Sequence, residues 1–356
     1  MTVVHSSPRS SRCSSHVRSV PSGLDRRAFV LGSVALLAFA SFGSTVARAA
    51  DGVEIESIDF DWVDDSRRRD VPARLYWPAD RDAAQRLPLV VFSHGLGGSR
   101  FGYSHLGRHW ASQGFASLHL QHRGSDRSVW TSGFFDLVSN LSAAASEANA
   151  IARAQDVSFG ISSVLADARV AQRIDPARIA VAGHSYGANT AMLVAGAKVA
   201  REVDGEWRDI SYRDPRVKAA VLLSAPPFYR EGDMRAILRG IGIPTLHVTG
   251  TEDVIRIPGY RSDPTDRVAV FDAMPKGPGA APKWLAVFTG GTHSIFTDRT
   301  DRAGWELNQT VKAATRELTT EFFRAALKGE SLERVGAWLE SRSELLSQRA
   351  AVLPAR

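Results

Sequence analysis

Cysteine is all but missing from this chain, with Cys13 the only one in 356 residues. That rules out a disulfide framework and a multi-thiolate metal site. Net charge of one sign is missing as well, once the first 49 residues are set aside. The whole chain carries 44 Lys and Arg against 38 Asp and Glu; taking away the six arginines and one acid of residues 1–49 leaves 38 against 37. The basic balance therefore sits in the leading segment, and the remainder gives no argument for nucleic acid or an anionic membrane as partner. Beyond residue 49 no apolar run is long enough to span a bilayer. A dinucleotide loop is missing too: Gly95, Gly97 and Gly98 start such a pattern, but position 100 is Arg and no acid ends the following strand, so no NAD or FAD cofactor is expected. His119 and His122 have a spacing that could grip a metal, yet no third ligand accompanies them, and no metal is expected.

What the first 49 residues do contain reads as an export signal that is removed. Arg26-Arg27-Ala28-Phe29 opens an apolar run reaching Ala40, and Ala47-Arg48-Ala49 offers a small-x-small cleavage pattern. The paired arginines resemble a twin-arginine (Tat) signal, with Asp25 where Ser or Thr is usual. Export to the periplasm or beyond is expected, with no transmembrane anchor once the signal is cleaved. Cys13 would leave with it, and with it any cysteine nucleophile. Residues 50–356 remain, enough for a single α/β domain with one sizeable core.

The remainder alternates strand and helix patterns. Val53 to Trp62 and Val71 to Tyr76 alternate apolar and polar around Asp64-Asp65-Ser66-Arg67-Arg68, an N-terminal antiparallel hairpin. Leu87–Phe92 is a continuous apolar run of the kind buried on both faces of a parallel sheet, and Ala116–Leu120, Val217–Leu223, Pro244–Thr249 and Trp284–Phe288 are further strand candidates. A helix-like stretch covers Tyr103–Gln113, and two amphipathic stretches, Trp305–Lys328 and Leu332–Gln348, close the chain as helices covering a sheet face. The fold class is α/β: a mostly parallel central sheet flanked by helices, with ligands beyond the carboxyl ends of its strands.

Ile179–Ala188 organises the rest. An apolar run leads into Gly183-His184-Ser185-Tyr186-Gly187 and then into helix-forming sequence up to about Ala200. Strand, sharp turn, helix: this is the G-x-S-x-G nucleophile elbow, which holds Ser185 in a strained conformation at the apex. A Cβ at position 183 or 187 would press on the neighbouring strand or helix. A serine at its ordinary pKa is a poor nucleophile, so it needs a base, and the base needs an orienting group. On an elbow of this type the chain order is Ser, acid, His. Only His247 and His293 follow Ser185; His247 lies inside an apolar strand before any suitable acid, which leaves His293 in the loop Gly290–Ser294. The acid belongs at the end of an intervening strand, where Gly250-Thr251-Glu252-Asp253 offers Asp253, with Glu252 as the alternative. Asp233, Asp263, Asp266 and Asp272 read as solvated acids, and Ser224-Ala225-Pro226-Pro227 after the strand at 217–223 carries none. For a developing oxyanion, two backbone N–H donors are expected, Tyr186 after the nucleophile and Leu96 in the turn after Leu87–Phe92.

The residues around these read as supports. His94 and His184 flank the oxyanion position and are expected to hold loop and helix start by hydrogen bonds; Arg123 is expected to fix a nearby loop acid, the alternative being an anionic group of the substrate. Ser125–Asn149 is the least regular region and carries Trp130, Phe134, Phe135 and Leu137; it is either a flap whose aromatics line an apolar acyl or aryl pocket or a segment packed on the body.

Ser93-His94-Gly95-Leu96-Gly97, Gln121-His122-Arg123-Gly124-Ser125, the elbow and Gly291-Thr292-His293 together resemble α/β-hydrolases of the dienelactone-hydrolase-like and platelet-activating-factor acetylhydrolase group, over about residues 70–300. The resemblance implies a serine ester hydrolase with Ser185, Asp253 and His293 as triad and the N–H groups of Leu96 and Tyr186 as oxyanion hole. Its substrate would be a small-molecule, lipid or polymeric ester. Dienelactone hydrolases use a cysteine that this chain lacks beyond Cys13, which argues against dienelactone itself, and Ala188 stands where glycine is common. An acyltransferase or peptidase on the same scaffold, and an inactive binding protein of this fold, remain open on sequence alone, as does the oligomeric state.

Overall fold

Along Leu87–Ser93 every residue is buried, and successive side chains join different cores: Leu89 and Val91 pack on one face of the sheet, Val90 and Phe92 on the other. That period-two division is what a strand buried on both faces produces, and it sets the layering of the molecule. The computed structural model describes residues 45–48, 53–79, 85–130, 137–228, 232–257 and 260–353. Apart from a strand at Thr45–Arg48, the expected export signal lies outside them, as do Phe134 and Phe135.

In chain order the elements are β1 (Thr45–Arg48), β2 (Glu54–Asp64), β3 (Arg69–Pro78), β4 (Leu87–Ser93), α1 (Ser104–Ser112), β5 (Ala116–Leu120), α2 (Leu137–Ala144), α3 (Glu147–Ala166), β6 (Ile174–His184) and α4 (Tyr186–Ala195). They continue as β7 (Lys198–Val203), β8 (Glu206–Ser211), β9 (Val217–Leu223), α5 (Met234–Leu238), β10 (Thr245–Glu252), β11 (Ile255–Ile257), β12 (Tyr260–Ser262), α6 (Pro264–Ala273), β13 (Lys283–Thr292), α7 (Trp305–Lys328), α8 (Glu333–Ser341) and β14 (Leu346–Val352). Ten strands form one sheet in the order β1-β2-β3-β5-β4-β6-β9-β10-β13-β14. The run from β5 to β13 is parallel. The hairpin β2–β3 joins it antiparallel at one side and β14 at the other. One core holds α3, α4 and α5 residues, the other α1, α7 and α8 residues. This is an α/β-hydrolase fold, with the expected N-terminal hairpin.

Three boundaries differ from the sequence reading. The helix after the elbow stops at Ala195 rather than Ala200, because Gly196 takes φ 127°, and Lys198–Ser211 then forms the β7–β8 hairpin. Asp204 and Gly205 both have positive φ (55° and 80°) at its tip, as a two-residue hairpin turn requires. The last helical stretch ends at Ser341, and Leu346–Val352 becomes a strand, since the open edge of β13 offers backbone partners that outweigh a weak local helical pattern. The third is Ser125–Asn149, whose described residues are largely regular: a 3₁₀ turn at Arg127–Trp130, α2, and the start of α3.

Candidate active site

β6 carries the chain to Ser185, whose φ 54° and ψ −120° are strained for a residue with a side chain. Its N–H donates to the Leu223 carbonyl (2.9 Å), so the turn stays stitched to β9 while α4 starts at the next residue. The glycines make this possible. A Cβ on Gly183 would lie 2.1 Å from the Gly187 carbonyl oxygen, and one on Gly187 would lie 1.9 Å from the Ser93 carbonyl oxygen.

Ser185 Oγ lies 2.9 Å from His293 Nε2, and His293 Nδ1 lies 2.7 Å from Asp253 Oδ1. Asp253 is fully buried at the end of β10, whereas Glu252 beside it is exposed. Burial on its own would raise the Asp253 pKa; the hydrogen bond from His293, with the Arg267 guanidinium 3.6 Å away, outweighs it and holds the group lowered, as a carboxylate. An ionised Asp253 accepts the Nδ1–H, which fixes the tautomer in which Nε2 faces Ser185 with its lone pair. The second carboxylate oxygen accepts from Thr249 Oγ1 at 2.6 Å. The other acids lie elsewhere: Asp233 and Asp263 cap α5 and α6, Asp266 completes the box on α6, and Asp272 pairs with Lys276 at the surface.

His184 supports the His293 loop from behind. Its Nε2–H donates to the His293 carbonyl (2.8 Å), which leaves Nδ1 to accept from the Tyr103 hydroxyl (2.8 Å). The Tyr103 oxygen in turn lies 3.4 Å from the Gly95 N–H. One strut thus joins the His293 loop to the turn after β4. Burial, followed by the nearby His293, lowers the His184 pKa to about 3, so it remains neutral. His94 is fully buried too, with Nδ1–H donating to the Gly95 carbonyl (2.7 Å) and Nε2 accepting from the His122 N–H (3.1 Å). His119 and His122 are not a pair. The first bonds Ser117 and Gly102, the second Ser93 and Asp156, and among the described residues no cluster could hold a metal. Arg123 lies 3.7 Å from Asp70 and 3.9 Å from Asp126.

The turn Gly95–Gly98 is held from two sides. Gly97 N–H donates to the Ser125 carbonyl (2.9 Å), and the Trp130 indole N–H donates to the Gly97 carbonyl (3.0 Å). Leu96 packs on Val129, Leu141 and Ala144, which seats part of the 125–149 region on the body. Neither Leu96 N–H nor Tyr186 N–H has an acceptor among the described hydrogen bonds. Trp130 sits over Gly97 and is 53 % exposed.

The sequence reading missed Tyr103, Thr249 and Arg267. No motif marks them; Thr249 alone could have been suspected, as a hydroxyl on the strand that delivers the acid.

Residues 66–173 match the family described as platelet-activating factor acetylhydrolase, isoform II, which lies in the α/β-hydrolase superfamily. The matched stretch runs from the β2–β3 turn through the Gly95–Gly98 turn and α3 to just before β6, and it ends ahead of Ser185, Asp253 and His293. No curated protein matches the chain. The family match supports an ester-hydrolase function.

Proposed function

We propose that the protein hydrolyses carboxylic esters through an acyl-enzyme on Ser185. The observation that carries this is the unbroken hydrogen-bond chain Ser185–His293–Asp253 set on a strained elbow, with a buried, ionised acid at its far end. Ser185 Oγ attacks the ester carbonyl carbon while its proton passes to His293 Nε2, and the carbonyl oxygen becomes an oxyanion held by the N–H groups of Leu96 and Tyr186. Collapse expels the alcohol oxygen, which takes the proton from Nε2. Water then attacks the acyl carbon, giving its proton to Nε2, and Ser185 leaves with that proton as the carboxylic acid departs. Asp253 stabilises the imidazolium in both halves.

The matched family's name speaks of an acetyl ester, and short acyl groups are the first substrates to try. A series of p-nitrophenyl esters from acetate to long-chain acyl groups tests the reading. Turnover with a maximum at one chain length supports it, and no turnover above buffer across the series contradicts it.

A further inference from the structure

Behind the Gly95–Gly98 turn lies a buried polar network that the reaction scheme leaves unused. At its centre is Arg153 on α3, with none of its surface exposed. Burying a guanidinium is costly unless the charge is matched, and the usual match is a carboxylate. Here every described hydrogen bond of Arg153 goes to a neutral oxygen. Nε donates to Thr190 Oγ1 (2.9 Å), Nη1 to Ser125 Oγ (2.8 Å), and Nη2 to Ser93 Oγ (3.0 Å) and to the His94 carbonyl. The guanidinium also lies over the Tyr186 ring, 4.6 Å from its centroid. Asp156, one turn further along α3 and equally buried, has its oxygens occupied by Arg67 (2.9 Å), Arg69 (2.8 and 2.9 Å) and His122 (3.0 Å), and attracts Arg153 without bonding to it.

The partners fix the direction of the network. Ionised Asp156 accepts the His122 Nδ1–H, so His122 Nε2 accepts from the Ser93 hydroxyl (2.9 Å), and the Ser93 oxygen is left to accept from Arg153. Burial lowers the Arg153 pKa to about 10, still a cation at neutral pH, and burial followed by Arg153 itself lowers His122 to about 4. The positive charge at the centre of the network therefore belongs to Arg153.

Each anchor leads to one of the two N–H groups to which the functional reading assigns the oxyanion. Ser93 and His94 immediately precede Gly95-Leu96, and the Ser125 backbone holds Gly97. Thr190 Oγ1 lies 3.1 Å from the Tyr186 carbonyl, whose ring the guanidinium covers. We propose that Arg153 is the positioning residue of the oxyanion hole: one buried cation, tied to β4, the 122–125 loop and α4, sets the spacing of the Leu96 and Tyr186 donors and supplies a positive field where negative charge develops. This rests on the ester-hydrolase reading above.

The test uses p-nitrophenyl acetate as substrate and phenylboronic acid, which forms a tetrahedral adduct on an activated serine, as transition-state mimic. Folding of each variant is checked by circular dichroism and thermal melting. Arg153→Met should lower kcat by about 10²–10³-fold with KM within about threefold, and should weaken phenylboronic acid by a similar factor. Arg153→Lys, which keeps the charge but loses the fork, should regain at least about tenfold of that loss. A purely structural role would not move kcat and boronate affinity together while sparing KM. A folded Arg153→Met with near-parent kcat, or with lost kcat but parent boronate affinity, overturns the proposal. Should Arg153→Met not fold, Ser93→Ala decides: the cation stays and one anchor goes, so kcat should fall about tenfold, and parent kcat there overturns the proposal. A parent protein that turns over no ester and takes no boronate sinks the functional reading and this proposal with it; an active parent with unaffected variants sinks the proposal alone.

Discussion

At Asp253 burial works against ionisation, while the hydrogen bond from His293 and the Arg267 guanidinium work for it; the latter prevail. The residue is therefore a carboxylate held out of water, able to do one thing for His293: fix its tautomer and stabilise its protonated form. Asp253→Asn keeps the shape but can donate where it should accept, so kcat for p-nitrophenyl acetate should fall by about 10⁴-fold, and Ser185→Ala/Asp253→Asn should be little worse than Ser185→Ala. Glu252→Gln, at an exposed side chain, should stay within about tenfold of the parent. Near-parent kcat in a folded Asp253→Asn would move the acid elsewhere. Asp253 could be chosen from sequence because it follows an apolar strand and precedes His293. Arg267 and Tyr103 could not be, since their effects reach the site through packing. Tyr103 meets a side chain 81 positions away, and Arg267 touches the acid from a different element, α6.

The elbow shows how an element can be specified by what it excludes. Gly187 exists because α4 begins against β4, and an added Cβ would stand 1.9 Å from a backbone oxygen that cannot swing aside. Gly187→Ala should cost at least about 1–3 kcal/mol, lower Tm by several degrees, and displace Tyr186, so that ester turnover falls even where the chain still folds. Parent Tm and turnover together would contradict this. The elbow, the parallel strands and the N-terminal hairpin were legible because glycine spacing and apolar runs are local signals. The β7–β8 hairpin had a local signal as well, Asp204-Gly205, hidden by the helical sequence before it. β14 had none of comparable strength: Leu346–Val352 is a strand because β13 lies beside it, a fact held by the fold and not by the segment.

For the molecule as a whole, buried histidines dominate the response to acid. Burial, the first cause in each case, lowers His105, His119 and His122 to about 4 and His184 and His247 to about 3. In the unfolded chain each takes a proton near pH 6.5, so below that value the unfolded state binds more protons than the native one. Their contribution is full above about pH 6.5 and is lost as pH falls toward 4, by up to about 1.4 kcal/mol per pH unit for each histidine. Asp156 and Asp253, with lowered pKa values, add stability that is present above about pH 3.9 and lost only below it. Tm should therefore fall steadily from pH 6.5 to 5.0, before Asp156 or Asp253 takes a proton; a flat Tm over that range would contradict the burial of these rings. The central claim, that Ser185 alone is an activated nucleophile, is read most directly from the mass of the intact protein after incubation with a fluorophosphonate. One adduct is expected on the parent chain and none on a folded Ser185→Ala variant; a parent mass that does not change, or an adduct that survives in Ser185→Ala, would overturn this assignment.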